Sequence, residues 1–561
     1  MKRAGSLIAG IVAAGLLWAA GADARTFEVT RTTDSAPNGC ATGGCTLREA
    51  VIAANNRAGA DEVVLKRGKS YALARPGVDE ELSLTGDLDS TGPLTLRARG
   101  RGARPVINGA DLDRILHTFA PATVRSIVIR NGNMTSPISE TGDGGGIFAR
   151  SDLILQRSVV RDNAADDNGE GIAADYGASI TLIRSAVVRN QGQGVREEDT
   201  GSIVLKRSRV TGNEELGIEE SGDGGIRLLR SHLIRNGGAG LREFDDGGVR
   251  VTRSMILRNE GDGVDASGPG GLVLRRAKVS GNEGMGVVDS QPVARITRSV
   301  VARNDNVGVF QYSGALQIAR TQVLRNTANQ DGGGISALST ASVKIDRTTV
   351  ARNSTPGNGG GISAVSFPTT APAVITRSTI SGNSAEGRGG GIYGDAKLVT
   401  TNSTVASNRA GAGGGIYING GSGSALNAVS VVRNVADDDY GGGLYLANDA
   451  PLRVDNSLIA LNQATCIGCG SPDCINEQDP FTSGGNNLLS TKDNCSGFEL
   501  PSDLERANPK LGALKDNGGP TKTVALKQGS PAINKAGNDA PSRDQRGRKR
   551  GRNPDIGAFE R

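Results

Sequence analysis

Asparagine returns every 22 or 23 residues through the middle of this chain. Asn190, Asn213, Asn236, Asn259 and Asn282 are each 23 apart, and each closes a short element of the form [VI]-x-x-N. Counting outward, the element recurs with its asparagine at 131, 163, 190, 213, 236, 259, 282, 304, 326, 353, 383, 408, 434 and 462. The interval widens to 25–32 on both sides, as expected when loops are inserted into a constant unit. Each unit holds three short alternating apolar runs, for example Ile203/Leu205, then Val210, then Ile218. Alternation with period 2 over three to five residues reads as strand. Three strands in 22 or 23 residues leave no room for a crossover helix. The chain must therefore coil, each turn stacking on the last at the inter-strand spacing of about 4.8 Å. This predicts an all-β parallel β-helix (solenoid).

In such a coil the asparagines become vertical neighbours. They are expected at turns, in the left-handed conformation that Asn adopts at low cost, passing amide hydrogen bonds from coil to coil. The glycine triplets at 144–146, 332–334, 359–361, 389–391, 413–415 and 441–443 are expected to supply positive φ or close backbone approach at another corner. Nucleotide binding by these triplets is excluded because no helix follows them.

The same period stacks charge. Glu197, Glu220 and Glu243 share one register, followed by Ala266 and Asp289. Carboxylates about 5 Å apart repel unless something lies between them, and two solutions stay open. One is Ca²⁺, which prefers carboxylate oxygen. The other is a surface ion-pair network with the parallel arginine ladder Arg184, Arg207, Arg230, Arg253, Arg276, continuing to Arg298 and Arg320. Apart from Ca²⁺, no cofactor is expected.

The amino terminus reads as a secretory signal: Lys2 and Arg3, an apolar run at 6–20, and an Ala22-Asp23-Ala24 cleavage site. Cleavage after Ala24 would start the mature chain at Arg25, with no membrane-spanning segment left. The six cysteines, Cys40, Cys45, Cys466, Cys469, Cys474 and Cys495, all flank the repeats. Cys40 and Cys45 are close enough to pair across a tight loop. For the later four, export and an even count favour two disulfides of unspecified pairing over a zinc site. The basic run at 543–552 reads as a solvated loop, and no nucleic-acid partner is expected.

Three stretches resemble known families. "CATGGCTLREAVIAANN" at 40–56 resembles the CSLREA domain of secreted bacterial proteins, with Thr46 in place of Ser. The [VI]-x-x-N and GGGI pairing resembles the right-handed β-helix repeats of the pectate-lyase-like superfamily and of polymorphic outer-membrane proteins. "NNLLSTKDNC" at 486–495, "PKLGALKDNGGPTKTVALKQGSPAIN" at 509–534, "DQRG" at 544–547 and "DIGAFE" at 555–560 resemble the choice-of-anchor Q domain. The resemblances imply a secreted or cell-surface right-handed β-helix and transfer no catalytic residue. Because no sorting signal or hydrophobic tail precedes Arg561, covalent anchoring is not expected. The expected organisation is a signal peptide (1–24), an N-terminal cap with the first coils (25–120), β-helix repeats (121–465) and a small C-terminal capping domain (466–561).

Two function classes follow. The first is a non-catalytic rod that binds or displays at a surface, its partner a polysaccharide or cell-envelope component. The Glu197/Glu220/Glu243 and Arg207/Arg230/Arg253 ladders are its candidate surfaces. The second is a polysaccharide lyase or glycoside hydrolase, whose candidate acids are Asp166, Asp167, Asp437, Asp438 and Asp439 on inserted loops. Tyr393, Tyr417 and Tyr445 are expected to pack over a corner rather than stack sugars. His117 and His232 are expected to be structural or superficial.

Overall fold

The computed structural model describes residues 23–561 except 41–43, 78–79, 135–143, 166–170, 339, 366–370, 439–440, 448–450, 466–471, 479 and 494, and of 340–341 the backbone only. Three parallel sheets run the length of the molecule. The first has sixteen strands, from Leu88–Ser90 to Cys474–Asn476, and the second eighteen, from Thr26–Glu28 to Thr482–Gly485. The third runs from Ser70–Ala72 to Leu488–Leu489.

One central coil shows the rule. Val195–Glu197, Ser202–Lys206 and Arg209–Thr211 each contribute one strand to the first, second and third sheets. Each pairs in parallel with the segment 23 residues later, Val195 with Ile218, Ile203 with Ile226 and Val210 with Leu233. The inward side chains Val195, Ile203, Leu205 and Val210 are fully buried. Each such burial contributes about 1.5–3 kcal/mol, and stacking joins them into one continuous core.

The asparagine ladder is present. Asn190 Nδ2 donates to Asn213 Oδ1 at 2.9 Å, and the pattern repeats from Asn163 to Asn462. Each Oδ1 also accepts the backbone N–H of the preceding rung, as Asn213 Oδ1 does from Asn190 at 3.1 Å. Two expectations need correction. The left-handed residue is the one before the asparagine, such as Arg189 (φ 54°), Gly212 (φ 65°) or Arg235 (φ 56°). The ladder residue keeps ordinary backbone and turns its amide inward. Asn131 is not a rung: it is itself left-handed (φ 57°) and bonds Asn108, while Gly132 N–H meets Asn163 Oδ1. Glycine stands over each rung for steric reasons. A Cβ at Gly194 would lie 2.4 Å from Val210 Cγ1 and 2.7 Å from Asn213 Nδ2.

Both ends of the core are covered. At the start lies the single helix among the described residues, α1 (Leu47–Asn55). Thr46 caps it and Glu49 closes a capping box, accepting from Thr46 N–H at 2.8 Å. Arg48 is buried, pairs with Asp34, and donates to the carbonyls of Ser83, Thr85, Gly86 and Asp87. At the far end Phe481 and Phe498 are buried with ring centroids 5.3 Å apart, and Cys474 is bonded to Cys495.

Residues 511–561 lie along the side of the rod, over the outer face of the third sheet. Leu511, Val524, Leu526, Ile556 and Phe559 pack on Ala406, Val432, Leu458, Ala460 and Leu488. Gln545 bonds Thr379 and Thr404. The basic run is therefore not a solvated loop. Arg546 pairs with Asp544 and stacks on Phe559, while Arg550 is buried against Glu560.

Candidate functional site

The turn between the second and third sheets is built by the dipeptide Arg-Ser, replaced by Arg276-Ala277 and Arg320-Thr321 in two coils. Its serine points inward, so Ser208 N–H donates to Ser231 Oγ one coil on. Its arginine is left-handed and points out. Arg184, Arg207, Arg230, Arg253, Arg276, Arg298 and Arg320 all have φ between 51° and 54°. All seven are exposed, and none has a carboxylate within ion-pair distance among the described residues. A left-handed non-glycine residue costs about 1–2 kcal/mol, yet seven successive coils keep arginine there.

A second row lines the opposite edge of the third sheet: Arg189, Arg235, Arg258, Arg303 and Arg325, with φ between 54° and 57°. Of these, Arg189 is paired with Asp162. Between the rows the outward residues include Arg209, His232 and Lys278. Arg125, Arg157, Arg184, Arg207 and Arg230 line a groove of about 540 Å³. The result is a long face rimmed by arginine, from about residue 159 to 351, whose floor also carries half-exposed apolar residues such as Ile234, Met255, Leu257 and Val300. Farther along, the 511–561 segment covers the same face.

The carboxylate ladder lies elsewhere. Glu197, Glu220 and Glu243 are fully buried inside the coil and do not meet the arginine ladder, which corrects the expectation of a surface ion-pair network. Backbone N–H groups hold one oxygen, Gly201 on Glu197 at 2.9 Å and Gly224 on Glu220 at 3.0 Å. Gln291 Nε2 donates to Glu243 at 2.7 Å, and Gln311 Nε2 to Asp289 at 2.6 Å. Glu197 Oε2, Glu220 Oε2, Glu243 Oε1 and Asp289 Oδ1 lack partners. Burial pushes Glu197 and Asp289 up to about 7. Glu220 and Glu243 rise to about 8, through burial first and then the neighbouring glutamate. Burial therefore favours the neutral, protonated form of each carboxyl group over the charged one.

The other sequence candidates disperse. Asp437 makes a bidentate pair with Arg409 at 2.6 and 2.5 Å, and Asp438 is exposed beside it. Asp166, Asp167, Asp439, Cys466 and Cys469 lie outside the described residues. Tyr393, Tyr417 and Tyr445 stack with centroids 5.7 and 4.6 Å apart and are buried, which makes them packing. Cys40 is bonded to Cys45, and disulfides belong to an oxidising compartment. His117, which looks isolated in sequence, is buried beside Asp89.

Residues 221–354 match the right-handed β-helix region family, and residues 377–395 match the Chlamydia polymorphic membrane protein repeat. The chain is a right-handed parallel β-helix. Two solved structures match at low identity. Pectate lyase Pel9A shares 15% identity over 96% of this chain and 98% of that one, with a TM-score of 0.19. The A-module of the mannuronan C-5 epimerase AlgE6 of Azotobacter vinelandii shares 14% over 82% and 99%, with a TM-score of 0.27. No curated protein matches the sequence. No helix among the described residues of the β-helix is long and apolar enough to cross a membrane.

Proposed function

We propose that this protein is a secreted or cell-surface, non-catalytic rod that binds an acidic polysaccharide of a cell envelope along its arginine-rimmed face. One observation carries the reading: seven consecutive coils place an exposed, unpaired arginine at a backbone position that disfavours it. The same corner folds without arginine in other coils, where Ser126, Asn402 and Ala428 hold it in the left-handed conformation. Costly outliers that recur in register point to a retained purpose.

Guanidinium groups recognise carboxylates and sulfates by paired hydrogen bonds. A row of them at the coil rise of about 4.8 Å offers a comparable interval to a polymer with one acid per sugar. A flat open face also binds along a chain rather than enclosing one bond. The expected signal peptide and the disulfides fit this setting.

Isothermal titration with a polyuronate and with a neutral glucan tests the reading. Binding to the first alone, with no release of reducing ends or unsaturated products, supports it. Equal binding to both, or turnover, replaces it with the lyase or hydrolase alternative.

A further inference from the structure

The first two coils bring together three groups that no repeat predicts. Asp89 lies on the strand Leu88–Ser90 and His117 on Leu116–Thr118, paired in register on the outer side of the first sheet. Asp87 immediately precedes the first of these strands. One ligand atom from each of Asp87, Asp89 and His117 falls within 4.8 Å of the others. All three side chains are at least nine-tenths buried.

Their own partners do not satisfy them. Asp89 Oδ2 accepts from Ser83 N–H at 2.9 Å, but Asp89 Oδ1 has no hydrogen-bond partner. His117 Nδ1 is 3.6 Å from that oxygen, too far for a hydrogen bond, and Nε2 is also unpartnered. Arg114 Nε sits 3.3 Å from Asp87 Oδ2, an ion pair without hydrogen-bond alignment. Arg114 faces both buried carboxylates, as does the more distant Arg48, whose own charge is paired with Asp34.

We propose that Asp87, Asp89 and His117 form a binding site for a divalent transition-metal ion such as Zn²⁺ or Mn²⁺. Two carboxylate oxygens with one imidazole nitrogen suit these ions, whereas Ca²⁺ takes oxygen ligands. A bound ion would satisfy Asp89 Oδ1, take a lone pair from the imidazole and balance the second carboxylate. Three protein ligands leave at least one coordination position for water or another ligand.

The site also explains the buried arginine of the helix that covers the coil. Arg48 donates to the carbonyls of Ser83, Thr85, Gly86 and Asp87. It fixes the loop from which Asp87 projects and through which Ser83 orients Asp89. Arg48 is a positioning residue for the site and touches no ligand atom.

The test uses the untagged mature chain, stripped with chelator, titrated with Zn²⁺ by calorimetry and with Co²⁺ by visible absorption. We expect one site per chain, a Co²⁺ d–d spectrum, and at least tenfold weaker Zn²⁺ binding in both D89N and H117Q. R48K should weaken Zn²⁺ binding less and keep the Co²⁺ band. Circular dichroism of each variant separates loss of the site from loss of the fold. If a variant fails to fold, the wild-type Co²⁺ spectrum and stoichiometry decide alone. No heat with Zn²⁺ and no Co²⁺ band in the wild type, or undiminished binding in a folded D89N/H117Q double variant, would overturn the proposal.

Discussion

The side-chain amide of Asn462 donates to Asp473 Oδ1 at 2.9 Å, so an aspartate ends the asparagine ladder. The terminal rung needs an acceptor only, and a carboxylate fills it without leaving an amide N–H unmet. Asp473 also accepts from Ser490 and Thr491, tying the last rung to the segment that covers the coil end.

Breaking a central rung should therefore be costly. In Asn259→Ala, the backbone and side-chain N–H groups of Asn236 both lose their acceptor. Buried unmet donors cost about 1–3 kcal/mol each, so a loss of about 3 kcal/mol is expected. Chemical denaturation should show a lower midpoint, with proteolysis beginning near residue 259. Wild-type stability in this variant would mean that the ladder is ornamental.

Replacing the arginine row should separate binding from folding. R207G/R230G/R253G removes three exposed charges and relieves three left-handed non-glycine residues. Melting should be unchanged or slightly higher. Polyuronate affinity should fall at least tenfold, with a salt dependence shallower by about two units. Unaltered affinity would move the binding face elsewhere.

The buried acid column should make stability depend on pH in a specific direction. Glu197, Glu220, Glu243 and Asp289 keep their protons up to about 7 or 8 when folded, against ordinary carboxylate values when unfolded. The folded state thus binds more protons, so stability falls as pH rises. Melting temperature should rise on going from pH 8 to pH 5, and E220Q/E243Q should flatten that rise. If Ca²⁺ occupied the column, added Ca²⁺ would raise the melting temperature at pH 8, and chelator would reverse it.

Much of the fold was legible in the sequence because one period controls everything. A residue 23 positions on is a vertical neighbour wherever the coil is regular. What that period does not reveal is which side of the wall a residue faces. By its period alone Glu197 belongs to a surface ladder, yet it stands two residues after the inward Val195 and so faces the same way. The Arg-Ser corner was readable as a ladder but not as a left-handed turn, since arginine carries no such signature. The Asp87–Asp89–His117 cluster was invisible. It sits in the first coils, where 28 residues separate Asp89 from His117 and no repeat aligns them.

The far end gives another test. A chain ending at residue 465 would lose Phe481, Phe498 and the 511–561 segment, baring strand edges and the Leu458 surface. Such edges recruit other chains. Light scattering should show aggregation of this truncation, whereas Phe498→Ala in the full chain should stay monomeric but lose about 3–5 kcal/mol. A soluble, monomeric truncation would show that the coils need no terminal plug.

Because every central coil adds one arginine to the row from Arg184 to Arg320, and the 511–561 segment occupies only the later coils, the reach of that row is set by arithmetic. Inserting or deleting a whole 23-residue unit between Arg184 and Arg276 would lengthen or shorten the row by one charge while leaving both terminal plugs and the flanking brace untouched. The molecule is a ruler, and its gene can change the number of graduations without redesigning the instrument.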